Sequence, residues 1–106
     1  VDVFYHFTDD VGVAGIVSGQ LLLPNVKGKV YMTKSLLSPQ EVENSIFIGN
    51  PLYRGHGNNV VTFYVRNHQR AQIFKSRDNH HEYIYTGGTL RLHGQIIYAG
   101  PNLIGQ

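Results

Sequence analysis

The chain of 106 residues contains no cysteine, which excludes disulfide bridges, thiolate nucleophiles and zinc sites built on cysteine. That absence leaves the compartment open, because secreted domains can also lack the residue. Charge is sparse as well: nine basic against seven acidic residues give a formal net charge of +2. Basic residues this few and this scattered do not argue by themselves for nucleic acid. No apolar run approaches the roughly 20 residues of a membrane-spanning helix, and the sequence carries no charged-then-apolar leader, so no membrane contact is expected. Internal repeats and low-complexity tracts are also missing.

What is present fits one folded unit. A hydrophobic fraction of 42% with 15% charged residues belongs to a globular chain, and this length supports one core but not two. The chain begins at Val1 without an initiator methionine, as expected of a domain cut from a longer protein or of a processed or engineered product.

Residues 1–8 alternate as a strand, with Val1, Val3, Tyr5 and Phe7 on one face and Phe4 with His6 on the other. Asp9 or Asp10 caps a short helix that lines up Val13, Ile16 and Val17 and ends at Gly19. Gly12 and Gly15 weaken it, so packing must hold it. Residues 21–24 are extended, 25–29 form a turn and 30–32 a brief strand. Ser38-Pro39-Gln40-Glu41 is the clearest local signal, a serine N-cap with proline at the first helical position and glutamate three residues after the cap. The second helix starts there and need not extend far past Ser45. Residues 49–59 have loop composition, in which Arg54, His56 and Asn58 could touch a ligand, although a solvated loop is the simpler account. Strands follow at 60–65, 72–74, 83–85, 89–93 and 95–99. Two short helices early and strands late predict an α+β class with a largely antiparallel sheet.

The chemistry centres on Asn79-His80-His81-Glu82-Tyr83-Ile84-Tyr85-Thr86-Gly87-Gly88. Glu82 stands where a polar loop (residues 75–81) becomes a strand, and strands hold side chains in fixed directions. On a period of two, Glu82, Ile84 and Thr86 share one face, and Tyr83 and Tyr85 the other. By itself a single glutamate there is an ordinary solvent-facing residue. Likewise, a histidine near Phe4 is a hydrogen-bonded structural residue, and the tyrosine of Val30-Tyr31-Met32 is core. His80-His81-Glu82, with His56 or His93, raises the question of a metal site. Adjacent strand residues point to opposite faces, so His81 and Glu82 do not converge and no metal is expected.

Three segments in order alter that reading: Tyr5-His6-Phe7-Thr8 followed by Val13-Ala14-Gly15-Ile16-Val17-Ser18-Gly19, then Gly28-Lys29-Val30-Tyr31, then His81-Glu82-Tyr83-Ile84-Tyr85. Together they resemble the His-Tyr-Glu group of ADP-ribosyltransferases, which includes diphtheria toxin and the poly(ADP-ribose) polymerases. The resemblance covers most of the chain and implies a single catalytic domain over residues 1–106 with the small fold of that group. Compact members of this size are often toxin modules at the ends of larger secreted proteins. That implies delivery into a target cell and makes an immunity protein a candidate partner. Some toxin families carry aspartate in the third position, for which Asp78 competes, but Glu82 fits the strand pattern. Where the polymerases have a second tyrosine in the helix after the first, this chain has Val42, so that wall of the nicotinamide pocket is not implied.

By this resemblance NAD is the substrate. His6, Thr8 and Tyr31 would bind it, with His6 on a ribose hydroxyl of the adenosine half and the nicotinamide stacked on Tyr31. Glu82 would stabilise the positive charge that develops on the ribose as the bond to nicotinamide breaks. Arg77 and His80 lie in the loop that would meet a macromolecular acceptor, protein or nucleic acid. In some transferases a Glu or Gln two residues before the catalytic glutamate prepares an arginine or asparagine acceptor; here His80 stands there, which disfavours an arginine-directed transferase. The leading expectation is a mono-ADP-ribosyltransferase. The alternatives are an NAD glycohydrolase and a catalytically idle NAD or nucleic-acid binding module.

Overall fold

The strand β1 (Val3–Thr8) carries large side chains on both faces, so each face must be covered. The computed structural model describes residues 2–45, 57–77 and 81–104. After β1 come α1 (Asp10–Gly19), β2 (Leu21–Leu22), β3 (Val30–Thr33), α2 (Pro39–Ser45), β4 (Asn59–Tyr64), α3 (Asn67–Arg70), β5 (Ile73–Lys75), β6 (Glu82–Tyr85), β7 (Leu90–Arg91) and β8 (Ile96–Pro101). Six strands form one antiparallel sheet in the order β5-β6-β3-β1-β4-β8, and β2 pairs with β7 separately. The class is α+β and rich in strand, as the order of elements in the sequence predicts.

Each face of the sheet has its own core. Phe4, Val30, Met32, Val61, Phe63, Ile73 and Tyr85 pack with Leu22 and Leu90 of the small ribbon, with Leu92 just after it and with Val13 and Ile16 of α1. On the other face Phe7 and Val60 pack with Leu37 and Val42, and Tyr5 lies against them. Val42 is fully buried in that second cluster.

The helix ends follow local chemistry. Asp9 caps α1 by accepting from the Gly12 N–H at 2.7 Å. Gly19 is the last helical residue, but the left-handed position falls on Gln20 (φ 55°), whose N–H returns to the Ile16 carbonyl. Val17 does not join Val13 and Ile16: it is 47% exposed, and no residue of α1 is fully buried. Gly12 has a packing reason to be glycine, because a β-carbon there would overlap the Thr8 hydroxyl. In α2 the capping box is complete, with Ser38 N–H donating to Glu41 Oε1 at 3.0 Å and Glu41 N–H to Ser38 Oγ at 3.2 Å.

The third helix, α3, is one that pattern reading does not find. Four residues have no apolar periodicity. Gln69 holds them instead: its carboxamide accepts from Arg66 N–H and from Gln95 Nε2, and donates to the Arg91 carbonyl. This buried network links α3 to β7 and the turn before β8.

Candidate active site

A cleft opens where two neighbouring strands part. β1 pairs with β4 along its whole length, from Val3 opposite Tyr64 to Thr8 opposite Asn59. Its register against β3 is confined to Tyr5 opposite Thr33, whereas β3 follows β6 from Thr33 opposite Glu82 to Val30 opposite Tyr85. Phe7 and Thr8 therefore face Val30 and Tyr31 across a space of about 640 Å³, within the ~300–1,000 Å³ range of small-molecule sites.

His6, Thr8, Tyr31 and Glu82 all line this one cleft. By alternation His6 belongs with Phe4, on the face away from Tyr5 and Glu82. Its ring nevertheless reaches Tyr31, with Nδ1 2.8 Å from the Tyr31 carbonyl. A carbonyl only accepts, so Nδ1 carries the proton in this hydrogen bond. The imidazole thus satisfies a carbonyl that a closed ladder would satisfy with a backbone N–H.

Tyr31 and Glu82 meet by register. Thr33 stands opposite Glu82 and Ile84 opposite Tyr31, which makes Tyr31 and Glu82 diagonal neighbours on one face, about 7–8 Å apart between Cα atoms. Glu82 begins β6, and its carbonyl accepts from the Ser76 N–H at 2.9 Å, closing the loop before it. Tyr83 and Tyr85 point the other way, toward the main core, as a period of two predicts. The opposite end of the cleft is basic: Lys27 and Lys29 line it beside Asn25, and exposed Leu23 and Val26 flank them.

The remaining candidates separate. Arg77 is exposed at a bend after β5 and does not line the cleft. His80, Asp78, Arg54 and His56 lie outside the described residues. Asn58 is exposed and away from the cleft; its carbonyl accepts from the Asn102 N–H. Val42 is core, so the position of the polymerases' second tyrosine supplies no cleft wall here. His81 lies near the start of α2. The Glu41 carboxyl there is held below its ordinary range chiefly by the Ser38 backbone N–H, then by the Ser38 side chain, with a smaller contribution from His81. Among the described residues no group of three His, Asp or Glu side chains is placed to hold a metal, and no helix is long and apolar enough to cross a membrane.

Sequence reasoning missed Lys27 and Lys29. Residues 25–29 were legible as a turn, and two lysines flanking its glycine were the available signal, but nothing local ties that turn to a cleft. No family model, curated protein or solved structure matches the chain, so the resemblance to ADP-ribosyltransferases rests on the residues themselves.

Proposed function

We propose that this domain is an NAD-dependent mono-ADP-ribosyltransferase that transfers ADP-ribose from NAD to a macromolecular acceptor and releases nicotinamide. The observation that carries the reading is the convergence of His6, Tyr31 and Glu82, from three strands far apart in sequence, on one cleft of ligand size.

Each residue has a task suited to its position. The Tyr31 ring offers a flat face for nicotinamide. The Glu82 carboxylate, diagonal to it, faces the ribose of a nicotinamide so placed. As the bond between ribose C1′ and the nicotinamide nitrogen breaks, its electron pair leaves with nicotinamide, and the carboxylate stabilises the cation left on the ring. An acceptor nucleophile then bonds to C1′ and gives up its proton to solvent. His6, oriented by the Tyr31 carbonyl, directs its ring toward a ribose hydroxyl, so the two residues position each other.

Incubating the protein with labelled NAD and a cell lysate tests this. The expected result is nicotinamide release with label attached to protein or nucleic acid, both lost in Glu82→Gln. Label recovered wholly as free ADP-ribose would identify a glycohydrolase instead. Binding without any nicotinamide release would identify an idle module.

A further inference from the structure

The turn before β3 is closed by four hydrogen bonds centred on Asn25. Its side-chain oxygen accepts from the N–H groups of Lys27 (2.9 Å) and Lys29 (3.1 Å), its own N–H donates to the Lys29 carbonyl (2.9 Å), and its carbonyl accepts from Gly28 N–H (2.9 Å). Gly28 takes the left-handed φ of 77° that the turn requires, with open space around it. The backbone of both lysines is therefore fixed at the cleft edge before any ligand arrives, which lowers the ordering cost of binding.

Lys29 lies in register with the site. Val30 and Met32 are buried in the main core, so Lys29 and Tyr31 project from the other face, two residues or about 7 Å apart along the strand. Glu82, opposite Thr33, lies on the far side of Tyr31 from Lys29, so with the nicotinamide on Tyr31 and its ribose at Glu82 the dinucleotide must fold back over the ring to bring its diphosphate within reach of the Lys29 side chain, with Lys27 at the lip. Neither lysine forms an ion pair with a described residue, and Glu82 is the one carboxylate lining the cleft among those residues. The cleft is thus polarised, with its acid toward the developing cation and its cations toward the anion.

We propose that Lys27 and Lys29, held by the Asn25-centred turn, are the diphosphate-binding residues of this cleft and select dinucleotides over nucleosides. The proposal rests on the NAD reading of the site, but its test does not require turnover. ADP and adenosine, neither of which carries nicotinamide, are titrated into the wild type, Lys27→Gln and Lys27→Gln/Lys29→Gln. The wild type should bind ADP about tenfold or more tightly than adenosine at low salt, with the gap narrowing as salt rises. Lys27→Gln should close part of that gap and the double variant nearly all of it, with adenosine affinity and melting temperature unchanged. Equal wild-type affinity for ADP and adenosine, or undiminished ADP affinity in a folded double variant, overturns the proposal. Should the double variant fail to fold, Lys27→Gln alone decides, because Lys27 is exposed. Nicotinamide release measured in parallel separates the two claims. Lysine-dependent ADP binding without release by the wild type keeps the clamp and discards NAD cleavage; release with lysine-independent ADP binding does the reverse.

Discussion

The two edges of β1 behave differently. Along β4 the strand is zipped residue by residue, and the seam is filled by Phe4, Phe63 and Val61, all fully buried. Along β3 it is joined at Tyr5 and Thr33 and then bridged by the His6 side chain. One strand thus supplies a closed seam that stabilises the fold and an open seam that can hold a ligand. The two demands conflict chemically: closing a ladder satisfies backbone polar groups and excludes water, whereas a cleft must leave polar groups accessible. Distributing them over opposite edges of one strand lets the closed edge hold the open one rigid.

Substitutions should separate the two edges cleanly. The largest effect belongs to the closed seam: Phe63→Ala should cost about 3–5 kcal/mol of stability by denaturant titration, and near wild-type stability would mean that this seam is not the anchor. At the open seam, Glu82→Gln should leave the melting temperature unchanged while slowing nicotinamide release by about two to three decades; retained activity would remove Glu82 from the chemistry. His6→Ala lies between the two, since it leaves the Tyr31 carbonyl without its donor at a cost of about 1–3 kcal/mol. It should weaken NAD binding along with stability, and a variant that lost stability alone would make His6 a purely structural bridge. Gly12→Ala pushes a β-carbon into the Thr8 hydroxyl, so the helix-propensity gain of about 1 kcal/mol is lost to crowding. NAD affinity should fall modestly as Thr8 shifts, which a binding titration can check.

The smallest effect is a pH dependence away from both seams. Asp2 is held below the ordinary carboxylate range by Arg70 and then Lys34, and Glu41 by the Ser38 cap. A lowered folded-state pKa contributes stability that is present above the unfolded value and lost as pH falls through the folded one. Thermal melts should therefore weaken as the pH drops below about 4. Ser38→Ala should both cost about 1 kcal/mol and flatten the part of that dependence due to Glu41. An unchanged acid profile in Ser38→Ala would assign it to Asp2.

Several features were legible in the sequence because their causes are local. The Ser38-Pro39-Gln40-Glu41 cap needs no partner outside its own turn. The alternation that sends Tyr83 and Tyr85 inward and Glu82 outward is set by the pleat. Strand positions are close to expectation, with shifts of a residue or two at ends such as 60–65 against Asn59–Tyr64. Asp9 is the cap of α1, as one of two candidates. α3 was not legible, because Gln69 is stabilised by Gln95 and Arg91 from the far end of the chain.

For the site, the sequence by itself determined which side chains stand at strand positions and which face each strand turns inward, since both depend on neighbours within a few residues. The tertiary structure decided which of them meet. Once the strands are paired, alternation puts His6 on the face opposite Tyr31 and Glu82, and it is the parting of β1 from β3 after Tyr5 that lets its ring reach the Tyr31 carbonyl. The diagonal of Tyr31 and Glu82 depends on the pairing of β3 with β6, and the approach of Lys27 and Lys29 to the same cleft depends on where the turn lands once β3 is in the sheet. Register and strand separation are set by the balance of packing on both faces of the sheet, a property of the whole chain that no short stretch of sequence contains.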